Sequence, residues 1–299
     1  MIYTVTFSPA IDYVMNLDNF NIGDINRSIS ESFLPGGKGI NVSIVLSNLG
    51  AKTVATGFLG GFVGEYIKSE LNKLNITSDF IDVDGITRIN VKIRSNEETA
   101  INGQGPHISD EDVEKLINKL QNIKENDFLV ISGAISKTLP SDTYEKILSR
   151  LKNKNIKIVV DCTKDTLLKT LSYNPFMIKP NKEELEEVLN CKINDDIELE
   201  RQVTKLIELG AENVIVSLGK DGAFIKGKNI QALKIKAPKG KVVNTVGAGD
   251  SLVAGFLYEY ERTGNLIDAL KVGVATGSAS AYSENLATKE EVLNLLSKM

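Results

Sequence analysis

Tryptophan is absent from the 299-residue chain, histidine occurs once and cysteine twice. With His107 the only histidine, any multi-histidine metal site within one chain is excluded, and a Ser–His nucleophile system could rest on that residue alone. Acid–base work falls to carboxylates, lysines or tyrosines. Cys162 and Cys191 are too few for a disulfide framework and lack CxxC spacing, so they read as two reduced thiols. Basic residues are not in excess: 35 Lys and Arg against 39 Asp and Glu give a formal net charge of −4. Nothing draws the chain to nucleic acid or an anionic membrane, and any anion must be held by a local cluster of cations or amides. No apolar run approaches the roughly 20 residues of a membrane span. The opening "MIYTVTFSPAIDYVMN" has no basic n-region, so a cytoplasmic protein is expected.

The composition that remains, 42% hydrophobic and 25% charged, suits a large α/β core. β-rich runs at 2–7, 127–132, 156–161, 175–180 and 213–219 alternate with segments of helical spacing at 109–123, 141–153 and 199–210, often opened by Ser or Asp. Such alternation predicts a largely parallel sheet covered on both faces, with ligands beyond the carboxyl ends of its strands. Two stretches break the pattern. Residues 10–35 are strand-like and polar, and 86–103 read as a hairpin around "SNEE". Neither is large enough for its own core, which predicts a single domain over 1–299 with a small β flap over the active face or an edge that pairs with another subunit.

Four motifs carry chemistry. "TVGAGDSLVAGF" (245–256) opens a helix: Gly247 and Gly249 bring backbone amides close to a ligand, and Asp250 stands in the first turn, either beside an anion or as a helix cap. "LPGGKGINVSIVLSNLG" (34–50) is a second glycine-rich helix entry, with Lys38 to neutralise a phosphate and Asn41 to bond hydroxyls. Its glycines would admit a polar ligand against the backbone. It is not a Walker A loop, and no GxGxxG occurs in the chain. "IKPNKEELEEVL" (178–189) places Asn181 before a helix with Glu183 and Glu184 in its first turn, which capping alone explains and which also suits a cation near phosphates. "VSLGKDGAF" (216–224) reads as a strand end and a hairpin turn.

In this order the four motifs resemble the ribokinase-like (PfkB) family of carbohydrate kinases over almost the whole chain. The resemblance implies a three-layer α/β sandwich with a mainly parallel central sheet and a small β lid formed by segments about 10–35 and 86–103. It implies an ATP-dependent phosphotransferase that uses Mg²⁺. Asp250 would take the proton of the attacking hydroxyl, and the backbones of Gly247, Ala248 and Gly249 would form the anion hole. A helix start should hold the Asp250 carboxyl low. Nucleotide contacts would come from Asn181, Ser217, Leu218, Gly219, Lys220, Asp221, Gly222 and Gly249, with Glu184 linked to Mg²⁺ through water. Sugar contacts would come from Asp12, Gly36, Gly37, Lys38, Asn41, Asn90 and Ser132. Ser8 stands where the family pattern usually carries Asn. The cations Lys38, Arg88 and Lys92, with Arg27 in the other flap segment, imply a sugar that already bears a phosphate. "TRINVK" with "GGKGINV" points to D-fructose 1-phosphate as acceptor at its 6-hydroxyl, with tagatose 6-phosphate and fructose 6-phosphate as neighbours. A catalytically silent sugar-phosphate sensor is the alternative of another kind. No nucleic acid or membrane partner is implied, and a homodimer through the lid strands is.

Overall fold

The computed structural model describes residues 1–299 apart from 134, 136–138, 141 and 163. From the N-terminus run β1 (Ile2–Thr6), β2 (Ala10–Asn16), β3 (Ser30–Gly36), α1 (Lys38–Leu49), β4 (Thr53–Leu59), α2 (Gly61–Lys73), β5 (Thr77–Ser78), β6 (Ile81–Asp82), β7 (Arg88–Arg94) and β8 (Glu98–Asn102). There follow α3 (Asp110–Leu120), β9 (Phe128–Ser132), α4 (Thr143–Leu151), β10 (Lys157–Asp161), α5 (Lys164–Leu171), β11 (Met177–Ile178), α6 (Lys182–Val188) and α7 (Asp196–Glu208). The chain ends with β12 (Asn213–Ser217), β13 (Ala223–Gly227), β14 (Ile230–Ile235), α8 (Ala248–Thr263), α9 (Leu266–Tyr282) and α10 (Lys289–Leu296).

The apolar runs become central strands because both faces of each are buried. In the large sheet the order is β14-β13-β12-β11-β10-β9-β1-β4-β5, with β6 also on β4. Pairing is parallel from β12 through β4, and β13 and β14 add an antiparallel edge. Period-two alternation assigns side chains to the two faces: Phe128 and Val130 of β9 pack with α1, α8, α9 and α10, while Leu129 and Ile131 pack with α3, α4 and α7. A fully buried side chain of this kind contributes about 1.5–3 kcal/mol. The mainly parallel, doubly covered sheet expected from the alternation is therefore what forms.

Local signals place most boundaries. Ser109 and Asp112 make a capping box that starts α3, and Asp195 caps α7, whose first residue, Asp196, lies three residues ahead of the predicted start. The helix expected from Ser141 begins at Thr143 after Asp142, which makes no side-chain cap; Ser141 itself lies outside the described residues. A separate four-stranded sheet has the order β3-β2-β7-β8. The 86–103 hairpin is its β7–β8 pair, and every residue of β8 is exposed. Among the described residues no helix is long and apolar enough to cross a membrane.

One register matters for the site. Thr6, Ser132 and Asp161 stand side by side as the last residues of adjacent parallel strands. Lys179 extends the row just past β11, its N–H bonded to Val160 O. Each of the four ends an otherwise apolar run, and each is buried.

Candidate active site

Helix α8 starts after Gly247, whose φ of 78° is left-handed, and no side chain caps it. The N–H groups of Gly249 and Asp250 donate to nothing among the described residues. They are left for a ligand at the positive end of a 16-residue helix. The Asp250 carboxylate does not turn back as a cap; it accepts a 2.8 Å hydrogen bond from Asn41 Nδ2. The capping reading of Asp250 is therefore wrong. So is the low pKa expected from the helix start. Burial, and next the charge of Asp161, push the Asp250 carboxyl up to about 7, against the Asn41 hydrogen bond, Lys38 and Lys179. Desolvation outweighs the helix end because the side chain is 6% exposed.

Beneath Asp250 lies a charged group that the sequence did not mark. Lys38 Nζ donates to Asp161 Oδ1 at 3.2 Å, and Lys179 Nζ stands 3.5 Å from the same oxygen. Burial works against the Lys38 charge, but Asp161, Asp250 and Glu184 outweigh it and raise its pKa. The glycines around Lys38 have a different use from the expected one. A Cβ on Gly39 would stand 2.7 Å from Val5 O, and one on Gly37 2.6 Å from Thr6 Cγ2. They make room for strand β1 rather than for a ligand, and so bring Lys38 and Asn41 against the sheet. Gly37 still borders the cleft; Gly36 is buried against Asp12 and does not.

The cleft above this floor encloses about 990 Å³. It gathers Asp12, Lys38, Asn41, Arg88, Asn90, Ser132 and Asp250 as the sequence reading supposed, together with Thr6, Lys92, Gln104, Asp161 and Lys179. Asp12 accepts from Asn90 Nδ2 at 2.8 Å and from Lys92 Nζ at 2.7 Å, so Lys92 is already paired. Arg88 donates to Ser8 O at 3.0 Å. Four buried polar atoms lack a partner among the described residues and line this one cleft: Arg88 Nε, Asn90 Oδ1, Ser132 Oγ and Thr6 Oγ1. Orphaned buried groups are costly, and their concentration here marks a site completed by a polar ligand. Arg27 is exposed in the β2–β3 connection and does not border the cleft of its own chain.

A second cleft of about 740 Å³ opens from the other side of α8. Asn181, Ser217, Leu218, Gly219, Lys220, Asp221, Gly222, Ala248 and Gly249 line it, with Val242, Thr245 and Tyr282 opposite. Asn181, Ser217 and Gly249 border both clefts. Asn181 and Glu184 do form the capping box: Glu184 N donates to Asn181 Oδ1 at 2.7 Å and Asn181 N to Glu184 Oε2 at 2.8 Å. Glu184 Oε1 makes no hydrogen bond among the described residues, and the side chain faces the larger cleft. Among the described residues no three His, Cys, Asp or Glu side chains cluster as a metal site. One free carboxylate oxygen suits a cation held mainly through water and phosphate, as Mg²⁺ is.

The sequence pattern of the pfkB family of carbohydrate kinases matches residues 2–292. The chain belongs to that family. This kinase is 46% identical over 296 residues to a 1-phosphofructokinase of Bacillus subtilis, covering 99% of this chain and 97% of that protein. It is 39% identical over 287 residues to a D-tagatose-1-phosphate kinase of Bacillus licheniformis, covering 96% of this chain and 94% of that one. Its fold matches the crystal structure of phosphofructokinase-2 from Escherichia coli in complex with fructose-6-phosphate with a TM-score of 0.92 at 25% identity, over 99% and 98% of the two chains. As a member of the family it is a phosphotransferase with an alcohol group as acceptor. Asp161 and Lys179 escaped the sequence reading because each is a single polar residue at the end of an apolar strand. The signal was there in "IVVD" and "MIK", but many strands end so.

Proposed function

We propose that this kinase transfers the γ-phosphoryl group of ATP to the 6-hydroxyl of D-fructose 1-phosphate, in the cytoplasm, giving fructose 1,6-bisphosphate. The observation that carries the reading is the place of Asp250 at the start of α8, in the larger cleft and next to Gly249, which borders both. ATP occupies the 740 Å³ cleft along the Ser217–Gly222 loop, and the sugar phosphate occupies the other. The acceptor oxygen attacks phosphorus as the bond to the ADP oxygen breaks; that electron pair leaves with ADP, and the hydroxyl proton passes to Asp250. Charge spread over the phosphoryl oxygens is met by the N–H groups of Gly249 and Asp250 and by the nearby ammoniums. Mg²⁺, held from Glu184 through water, supplies charge neutralisation on the phosphates when bound.

Arg88 grips the phosphate already on the sugar, its orphaned Nε serving as one of the donors, whereas Lys38, bonded to Asp161 next to Asp250, belongs to the reacting end and not to the phosphate grip that the resemblance implied. Asn90 Oδ1, an acceptor without a partner, takes a sugar hydroxyl. Arg88→Ala raises KM for the sugar phosphate about 10–100-fold with kcat within a few-fold, the scale of a lost charged hydrogen bond. An unchanged KM removes Arg88 from the phosphate site. Because Asp250 must be ionised to accept the proton, kcat/KM falls about tenfold per pH unit below about 7 and is level above it. A flat profile from pH 5.5 to 8 counts against Asp250 as base.

The small sheet serves as a lid over the sugar, and its exposed apolar residues Phe33, Leu34 and Ile101, with Ile22 and Ile25 of the β2–β3 connection, favour a dimer through the lid strands. A tagatose phosphate is the second reading, favoured by the D-tagatose-1-phosphate kinase relative. The test is a coupled ADP-release assay with Mg-ATP and fructose 1-phosphate, fructose 6-phosphate, tagatose 6-phosphate or free fructose, compared by kcat/KM. Preference for fructose 1-phosphate is expected. Preference for a 6-phosphate would move the phosphate grip, and tight sugar binding without turnover would point to a sensor.

A further inference from the structure

Asp161, the aspartate shared by two lysines on the cleft floor, has no place yet in the reaction. Asp161 ends β10, its side chain 2% exposed, and a single oxygen of its carboxylate faces both Lys38 Nζ and Lys179 Nζ. The two ammoniums arrive from different elements, Lys38 from the start of α1 and Lys179 from the chain after β11. Lys38 is partly open to the cleft, whereas Lys179 is buried, its Nζ has no closer hydrogen-bond partner among the described residues, and that Nζ lies 3.4 Å from where a Cβ on Gly249 would be. Both lysines thus border the larger cleft, with Lys179 next to Gly249, which borders the nucleotide cleft as well. An isolated buried ammonium would be too costly to keep charged, and the shared carboxylate supplies both lysines with a counter-charge.

We propose that Asp161 is a positioning residue for phosphoryl transfer: it anchors Lys38 and Lys179 together near the start of α8 so that both face the group as it passes from nucleotide to sugar. The inference rests on the kinase reading and goes beyond it by assigning a residue that touches neither substrate. A purely structural ion pair would neutralise one lysine; here one carboxylate serves two, in the larger cleft beside Gly249, which borders both. Asp161 has a second effect through space. Its negative charge faces Asp250, together with Lys38 and Asn41 from α1 and Lys179 from the chain after β11, and it is the one like charge in that group. It therefore keeps the base ready to take a proton.

The test is the pH dependence of kcat and kcat/KM from pH 5.5 to 9 for the full-length wild type, Asp161→Asn and Asp161→Glu, with Mg-ATP and whichever of the four acceptors turns over. Asp161→Asn is expected to lower kcat roughly 100-fold, the cost of misplacing charged groups by about an ångström. It is also expected to move the acidic limb of kcat/KM to lower pH by about one unit, since a like charge near Asp250 is gone. Asp161→Glu keeps the charge but displaces the anchor, so the limb stays in place while kcat falls about tenfold. A folded Asp161→Asn with kcat within threefold of wild type and an unmoved limb overturns the proposal. If that variant does not fold, Asp161→Glu with unchanged kcat does so. Wild type inactive with every acceptor would sink the kinase reading and this inference with it, an outcome distinct from an active wild type with indifferent variants.

Discussion

Asp250→Asn lowers kcat by about 10²–10⁴-fold, leaves KM for the sugar phosphate nearly unchanged and raises the melting temperature at pH 8. The kinetic loss follows from removing the proton acceptor, while Asn still accepts from Asn41 Nδ2 and keeps the shape of the site. The gain in stability follows from burial. An unfolded carboxyl titrates near 3.8 and this one near 7, so between these values the folded chain binds a proton that the unfolded chain does not. Stability then decreases as pH rises through that window, and above 7 the penalty is complete. At about 1.4 kcal/mol per pH unit it amounts to at most roughly 4 kcal/mol, and the neutral amide abolishes it. Thermal denaturation at pH 8 and pH 4 reads the difference: Asn is more stable at pH 8 by several degrees and indistinguishable at pH 4. A lower melting temperature at pH 8 with kcat intact would make Asp250 a structural residue and remove it from the chemistry.

Gly222→Ala is expected to cost several kcal/mol and to raise KM for ATP by more than tenfold. Gly222 closes the turn between β12 and β13 at φ 93°, a conformation that strains any other L-residue by about 1–3 kcal/mol. Space makes matters worse: the new Cβ would lie 1.9 Å from Ile235 O and 2.7 Å from Ala237 N, both backbone atoms of the adjoining strand and its exit. Relief requires β14 to move away or the Ser217–Gly222 loop to refold, and either disrupts the 740 Å³ cleft. At a few degrees per kcal/mol, the melting temperature falls by roughly 10 °C. Nucleotide titration and thermal denaturation of the variant check the two effects together. An alanine tolerated with unchanged ATP affinity would show that the turn has room to shift and that the loop does not hold the nucleotide. Gly219, by contrast, has nothing within 4 Å of its Cβ position, although its φ of 55° is also left-handed. Gly219→Ala is therefore the milder control.

Much of the architecture was legible because it is local. Apolar runs without alternation require strands buried on both faces, and Ser109 with Asp112 or Asn181 with Glu184 close helix starts within four residues. The glycine-rich motifs likewise announced where the chain turns. Their purpose was less legible: "GGKG" looked like space for a ligand, and Gly37 and Gly39 instead accept strand β1. Clearance between elements depends on packing that no spacing records.

The sequence by itself determined the alternating α/β order, the motifs that bring Asp250, Lys38, Asn181 and the Ser217–Gly222 loop to one end of the sheet, and the exclusion of a multi-histidine metal site within one chain. Tertiary structure alone decided the ionisation of Asp250, the sharing of Asp161 by two lysines, and the four polar atoms of one cleft that lack a partner among the described residues. The physical reason is that periodicity, capping and turn chemistry act over a few residues along the chain. Desolvation and Coulomb interaction depend on distance and burial in space, which are defined only once strands far apart in sequence lie side by side.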